Sequence, residues 1–283
     1  MPIATLIAAD RLDESLASAA CARFGAVQGA WVEEGSAIDL HFANAVPQAD
    51  GWEGVDLVAI TSGPRRRALL VADMDSTMIG QECIDELADY AGVKPQVAAI
   101  TERAMQGALD FASALRERVA LLAGLDESVL GRCLAERVRP TRGANTLIAT
   151  MRKQGAHCLL VSGGFTAFAE PVGAMLGFDK VRANVLSRRD GKLVGTVEGP
   201  IVDSVAKRAA LEEAYASLEL PVEATMAIGD GANDCAMVEA AGWGVAYRAK
   251  PVLADLADAR LDHHRLDALL WAQGIPRAEW VDA

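Results

Sequence analysis

The sequence predicts an α/β fold, a parallel sheet covered by helices on both faces, and three observations carry that prediction. Continuous apolar runs of buried-strand length recur along the chain, as in Ala68-Leu69-Leu70-Val71-Ala72 and Ala224-Thr225-Met226-Ala227-Ile228. Each runs into a short polar loop, and the later ones into loops rich in glycine. Helical patterns separate them, over 145–154 and 204–218. Strand, polar loop and helix in repetition mark a doubly covered parallel sheet, here a Rossmann-like core. Apolar residues make up 52% of the chain and charged residues 23%, a balance that supports a sizeable core and excludes wholesale disorder.

The elements follow in order. Strand-like runs at 4–8, 37–42 and 57–60 and a helix over 12–24 suggest a small N-terminal α+β region over residues 1–65. Thr61-Ser62-Gly63-Pro64 breaks the chain, and Arg65-Arg66-Arg67 follows. Three arginines in an acidic protein read as a solvated strand entrance rather than a phosphate or RNA patch. The core, residues 66–283, opens with the strand at 68–72. No buried strand is expected between about 80 and 140. That stretch reads as helices over 82–90, 95–105, 111–122 and 127–136, a helical cap inserted after the first core strand. His157-Cys158-Leu159-Leu160-Val161 is a strand that meets Ser162-Gly163-Gly164. Within 183–197, Asp190-Gly191 between two strand-like runs signals a short β-hairpin flap. The strand at 224–228 meets Gly229-Asp230-Gly231, and a shorter run at 243–246 precedes Lys250-Pro251.

Length and charge bound the function. At about 150 residues per domain, 283 residues make two domains or one with an insertion. Lys plus Arg is 27 and Asp plus Glu is 39, a net charge of −12 that argues against a general nucleic-acid or anionic-membrane partner. No apolar stretch approaches a membrane span. Residues 1–21 are Ala-rich, but Asp10, Arg11, Asp13 and Glu14 interrupt them, so a signal peptide is not expected. Five scattered cysteines, Cys21, Cys83, Cys133, Cys158 and Cys235, without a C-x-x-C pair, fit a reducing cytoplasm. His263 and His264 are adjacent, not at metal-ligand spacing, and read as polar surface.

The polar clusters all fall at the carboxyl ends of the strands, where open parallel sheets bind ligands. Asp73-Met74-Asp75-Ser76-Thr77 places two carboxylates two apart after a buried strand. They can hold a hard cation and offer an oxygen for chemistry, or simply cap a helix. Gly229-Asp230-Gly231-Ala232-Asn233-Asp234 adds two carboxylates at a second strand end; alone it reads as a tight turn, but repulsion between two acidic clusters would cost stability unless a cation such as Mg²⁺ sat between them. Ser162-Gly163-Gly164 is an anion cradle or a plain turn. Lys207, in the first turn of a helix, works against the helix dipole and is either a surface lysine or a charge aimed elsewhere. Together these parts make a phosphoryl-transfer site: a carboxylate nucleophile, Mg²⁺, the Asp75 acid/base, and Lys207 with Ser162 for the phosphoryl oxygens.

The series Asp73-x-Asp75-x-Thr77, Ser162-Gly163-Gly164, Lys207 and Gly229-Asp230-Gly231-x-Asn233-Asp234 resembles the haloacid dehalogenase superfamily of phosphatases. Asp73-Met74-Asp75-Ser76-Thr77, Leu160-Val161-Ser162-Gly163-Gly164-Phe165, and Glu82 followed by Arg118 narrow it to the phosphoserine phosphatases, over about residues 68–260. The resemblance implies Mg²⁺-dependent hydrolysis of O-phospho-L-serine to L-serine and phosphate through an aspartyl phosphate, the last step of serine biosynthesis. A related phosphatase or phosphotransferase acting on another small phosphomonoester is the alternative, whereas a phosphorylated receiver-like module would be shorter and lack the second acid and the cap. By the same resemblance Asp73 is nucleophile and metal ligand, Asp75 is acid/base and gives the metal its backbone carbonyl, and Asp230 is the third ligand. Asp234 would support Lys207 or the metal. Glu82 would face the substrate ammonium and Arg118 its carboxylate, pairings that suit a zwitterion. Met105 and Phe111 would form apolar walls, while Ser162, Gly163, Lys207 and Asn233 would hold phosphate or substrate. Cys235, where leucine is common, and Val205-Ala206 before Lys207 are small departures. Longer members carry an ACT-like regulatory domain, so residues 1–65 would be a reduced version. The implied partner is the small-molecule substrate, with no nucleic acid and no membrane, and a homodimer is allowed.

Overall fold

A computed structural model describes residues 2–46, 52–60, 63–106 and 108–282. The N-terminal region is one antiparallel sheet of β1 (Ile3–Ile7), β2 (Gln28–Glu33), β3 (Ala37–His41) and β4 (Asp56–Ile60), in the order β2-β3-β1-β4. One helix, α1 (Glu14–Phe24), crosses it, started by Asp13, whose side chain accepts from Leu16 N–H at 2.7 Å. Left-handed Gly25 ends it. Side-chain alternation along β1 splits the sheet's loyalties. Leu6 joins Leu40, Leu57, Ala17 and Ala20 beneath α1, whereas Ile7 joins Ala37 and Val58 in the core shared with the main sheet.

The main sheet begins with β5 (Leu69–Ala72). The chain then leaves for the cap helices α2 (Cys83–Tyr90), α3 (Lys94–Met105), α4 (Phe111–Ala120) and α5 (Ser128–Arg137). It returns past a bridge between Ile79 and Pro140 into α6 (Ala144–Lys153). Next come β6 (His157–Phe165), α7 (Thr166–Leu176), β7 (Lys180–Arg189), β8 (Lys192–Glu198), α8 (Ser204–Ser217) and β9 (Thr225–Gly229). The chain closes with α9 (Cys235–Ala240), β10 (Gly244–Tyr247), α10 (Pro251–Ala254), β11 (Ala259–Leu261) and α11 (Ala268–Ala272). Strand order is β11-β10-β9-β5-β6-β7-β8, parallel except for the β7–β8 hairpin.

All four residues of β5 are buried because it is central and covered on both faces. Leu69 and Val71 pack with Leu211 of α8 and Met237 of α9, while Leu70 and Ala72 pack with Leu147, Phe168 and Leu269 on the other side. The hairpin turns through Asp190 (φ 50°) and Gly191 (φ 75°), both left-handed as a tight two-residue turn requires. Its far end braces the cap: Gly124 N–H donates to Leu193 O and Glu127 N–H to Gly191 O, each at 2.9 Å. Among the described residues no helix is long and apolar enough to cross a membrane.

Two readings need correction. Thr61 and Ser62 of the composition border lie outside the described residues. Of the arginines after them only Arg66 is solvated, and Arg65 and Arg67 turn inward. Arg65 pairs with Asp39 at 2.6 Å and donates to Ala272 O at 2.9 Å, and Arg66 pairs with Glu279 at 3.1 Å. Arg67 is buried against the Trp243 ring. Arg65 and Arg67 sit at the seam between the two sheets, where backbone carbonyls and Asp39 take up their charge. His264 is likewise not polar surface: its Nδ1 lies 2.7 Å from Asp56 and its Nε2 accepts from Ala9 N–H at 3.1 Å, stitching the same seam.

Candidate active site

Three strand ends build the site. Asp73 follows β5 directly, and its N–H continues the ladder to Ile228 O at 3.0 Å, so the side chain is fixed where the sheet stops. The chain then coils through Met74–Met78, with Ser76 forced to φ 56°. That twist lets Ser76 Oγ donate to Glu82 Oε1 at 2.7 Å, while Asp75 Oδ1 accepts from Cys83 N–H at 3.3 Å. The end of β6 supplies the Ser162-Gly163-Gly164 loop, braced by Gly164 N–H donating to Ser162 Oγ at 2.9 Å. Asn184 on β7 ties this loop down, donating to Gly163 O at 2.8 Å and accepting from Val202 N–H at 2.9 Å. Beyond β9, Asp234 Oδ2 accepts from the N–H groups of Asp230 and Gly231, both at 3.1 Å. A Cβ at Gly229 would meet Asp234 Cγ at 2.4 Å, so only glycine lets this carboxylate fold back.

Lys207 comes from the opposite side, on the first turn of α8. Its Nζ sits 2.5 Å from Asp73 Oδ1 and 2.7 Å from Asp234 Oδ1, and the side chain is completely buried. Burial alone would lower its pKa, but Asp234 and Asp73 together raise it, so it stays charged. One ammonium does not balance the carboxylates here. Burial and then Asp234 hold Asp73 well above the ordinary carboxylate range, against the pull of Lys207. Asp75 is pushed up to about 7 by burial and by Glu82. Asp230 is raised to about 6 by burial and by Asp234. Oxygens of Asp73, Asp230 and Asp234 lie within 4.8 Å of one another, a hard-donor cluster short of positive charge that suits a divalent cation. Asp234 is already held by Lys207 and two peptide N–H groups, which leaves Asp73 and Asp230 the freer ligands.

A cleft of about 330 Å³ opens above this cluster. The core contributes Asp73, Asp75, Ser162, Gly163, Asp230 and Asn233, and the cap contributes Glu82, Phe111 and Arg118. Phe111 leans over Gly163, where a Cβ would come within 2.8 Å of its ring. Arg118 lines the cleft with no ion pair among the described residues; its Nε reaches only Ala114 O, at 3.3 Å. Lys207 lies beneath the floor, behind Asp73, rather than at the wall. The structure does not bring Met105 to the cleft: it ends α3 and is 74% exposed. Thr101, one turn earlier, lines the cleft instead. Gly164 of the predicted cradle lines it as well, and so do Asp85, Leu115 and Lys250, which were not singled out from sequence. Asp85 could have been found from its place one turn after Glu82 on α2. Lys250 Nζ lies 3.9 Å from Asp230 Oδ2, a cation at the end of the run that forms β10. A buried carboxylate facing a cavity, beside a second carboxyl that titrates near neutrality, can do nucleophilic and acid–base chemistry in one place.

Residues 70–239 match the family model for haloacid dehalogenase-like hydrolases. The chain belongs to this family. Phosphoserine phosphatase SerB2 of Mycobacterium tuberculosis is 47% identical over 215 residues, 76% of this chain and 52% of that protein. The chain thus spans about half the length of such curated relatives. A haloacid dehalogenase family hydrolase of Salmonella enterica serovar Typhi superposes with a TM-score of 0.82 at 26% identity, covering 96% of this chain and 98% of that one. The N-terminal sheet is therefore shared with a solved hydrolase of the family. A substrate-bound phosphoserine phosphatase complex superposes with a TM-score of 0.68 at 38% identity, covering 72% of this chain and 97% of that one.

Proposed function

We propose that this haloacid dehalogenase-like hydrolase is a Mg²⁺-dependent phosphatase that converts O-phospho-L-serine to L-serine and phosphate in the cytoplasm. The observation that carries the reading is a single cleft in which Asp73 sits on the floor while Glu82 and the unpaired Arg118 face it from the cap. A substrate with a phosphate at one end and a zwitterion at the other meets a matching partner for each charge. All five cysteines are free, which fits a reducing compartment.

Asp73 and Asp230, with the Asp75 backbone carbonyl, would hold the metal, and Asp234 would keep Lys207 and the loop after β9 in place. When bound, Mg²⁺ supplies charge neutralisation that lets a carboxylate approach a phosphate. Asp73 attacks phosphorus, and the bond to the serine oxygen breaks. Asp75, protonated near neutral pH, gives its proton to that oxygen, and L-serine leaves. Asp75 then takes a proton from water, which attacks the aspartyl phosphate and releases phosphate, restoring both carboxyls. Lys207, Ser162 and the N–H groups around Gly163 oppose the charge that grows on the phosphoryl oxygens. Asn233 lies on the phosphate side of the cleft, and Phe111 excludes water from it.

Two units perform these tasks: residues 66–283 as catalytic core, with the cap at about 80–140, and residues 1–65 as a reduced ACT-like region. The test is steady-state phosphate release from a panel of phosphomonoesters with Mg²⁺, and again after exhaustive chelation. L-phosphoserine should lead the panel, and chelation should abolish turnover until Mg²⁺ is returned. Equal or better turnover of esters lacking both amino and carboxyl groups would assign a related phosphatase of another substrate.

A further inference from the structure

We propose that a second pocket, outside the catalytic cleft, binds a small molecule through a carboxylate or phosphate group. It is a cavity of about 480 Å³, larger than the catalytic cleft, and it opens on the seam between the N-terminal region, the core and the C-terminal tail. Its walls carry Arg142 before α6, Arg248 after β10, Arg265 after β11 and Arg277 of the tail. Against them the lining carries three carboxylates, Asp10, Asp267 and Asp282, so the four guanidiniums leave it net cationic in a chain of net charge −12.

Two of the four are committed. Arg265 pairs with Asp267, and Arg277 pairs with Asp10 at 3.3 Å. Arg142 and Arg248 face no carboxylate within ion-pair distance among the described residues; Arg248 lies only over the Tyr247 ring, at 5.3 Å. Arg248 also holds a left-handed backbone (φ 45°), a conformation that a non-glycine residue keeps only where its surroundings impose it.

A buried donor belongs to the same wall. Trp271 lines the pocket and is 2% exposed, yet its Nε1 has no hydrogen-bond partner. Buried polar atoms are almost always satisfied, so this indole lacks an acceptor. Guanidiniums and indole N–H groups are donors only. Arg142 and Arg248 are exposed donors that no side chain of the described residues engages in an ion pair, and the planar fork of arginine prefers carboxylate and phosphate. His264 does not fill that role, since Asp56 and Ala9 N–H occupy both its nitrogens.

The position bears on catalysis. Arg248 lies two residues before Lys250, whose N–H donates to Asp230 O at 2.8 Å. Arg142 follows Pro140 and Thr141, where the cap rejoins the core. An anion held by both arginines would sit on the two segments that support the catalytic cleft, an arrangement that the hydrolysis reaction itself does not require.

The tryptophans provide the test. The chain has five, Trp271 and Trp280 line this pocket, and none lines the catalytic cleft. Indole resonances of the ¹⁵N-labelled full chain are followed without Mg²⁺ at constant ionic strength during titration with inorganic phosphate and, separately, with succinate. The Trp280 signal is identified with Trp280→Phe. The Trp271 and Trp280 signals should move along a saturating curve with at least one of the two anions, and the anion that saturates at lower concentration identifies the headgroup. The double substitution Arg142→Gln and Arg248→Gln should weaken that binding roughly 10–150-fold, the worth of charged hydrogen bonds. The three remaining indoles report that the exposed substitutions leave the fold intact. Absence of saturable movement with both anions, or unchanged affinity in the double variant, would overturn the proposal.

Discussion

Lys207 is completely buried between two carboxylates, and removing its charge leaves Asp73 and Asp234 confronting each other in a buried site. Breaking such a pair typically costs about 3–5 kcal/mol, so Lys207→Met should lower the free energy of unfolding by about that much, as read by urea denaturation. Any folded fraction should lack turnover. The two aspartates after β5 should separate by role. Asp73→Asn should yield no acid-stable phosphoprotein after quenching with L-phosphoserine, because an amide is a poor nucleophile. Asp75→Asn should still form it, with turnover lowered about 10²–10⁴-fold. A labelled Asp73→Asn protein would remove that residue from the nucleophile's place. The aspartates, Ser162 and Gly163 were legible in the sequence because each follows an apolar run, and a strand end has one address in a parallel sheet. Met105 was not legible in this way: its address depends on how α3 is rolled within the cap, and the roll presents Thr101 instead.

At the scale of elements, the end of β6 is packed too closely for any side chain at Gly164. A Cβ there would lie 2.7 Å from Asp75 Oδ2 and 3.0 Å from Ser162 Oγ. Gly164→Ala should therefore displace Asp75 more than it disturbs the fold. A displacement near 1 Å can cost about 10²-fold in rate, so kcat should fall by up to that factor while the thermal midpoint changes little. A midpoint loss in proportion to the rate would place the effect in folding instead. The buried strands β5, β6 and β9 and the cap helices could be read from sequence, since full burial produces unbroken apolar runs and amphipathic helices show their period. The hairpin was equally plain from Asp190-Gly191. β2 and β11 escaped for physical reasons. β2 is an edge strand that leaves Trp31 41% exposed, and β11 is three residues long with Arg260 in the middle. Neither shows a run that pattern alone can detect.

On the scale of the whole molecule, the N-terminal sheet is joined to the core by polar stitches as well as apolar packing. Asp56 receives N–H groups of Asp262, His263 and His264 and contacts the His264 ring. Burial by itself would raise its pKa, but the bond to His264 and the peptide N–H groups outweigh burial and hold it below the usual range. A depressed carboxylate contributes its full stability above the ordinary value, about 3.9, and loses it as pH falls through the lower folded value. Asp56→Asn should cost about 1–3 kcal/mol at neutral pH. The gap between variant and wild type in urea unfolding should narrow below about pH 4. A gap that stays constant to pH 2 would mean that the carboxylate charge is not what joins the two sheets. The seam was hidden in the sequence because Arg65, Arg66, Arg67 and His264 resemble surface residues until the fold brings their partners to them. The division of labour between core and cap is the central claim, and one measurement tests it most directly: the ratio of kcat/KM for L-phosphoserine to kcat/KM for a phosphate ester without amino or carboxyl groups, in wild type and in Arg118→Ala. Loss of the charged pair should lower the first by roughly 10–150-fold and leave the second nearly unchanged, so the ratio collapses. An equal fall in both would contradict the account, making Arg118 a support of the cap rather than the reader of the substrate carboxylate.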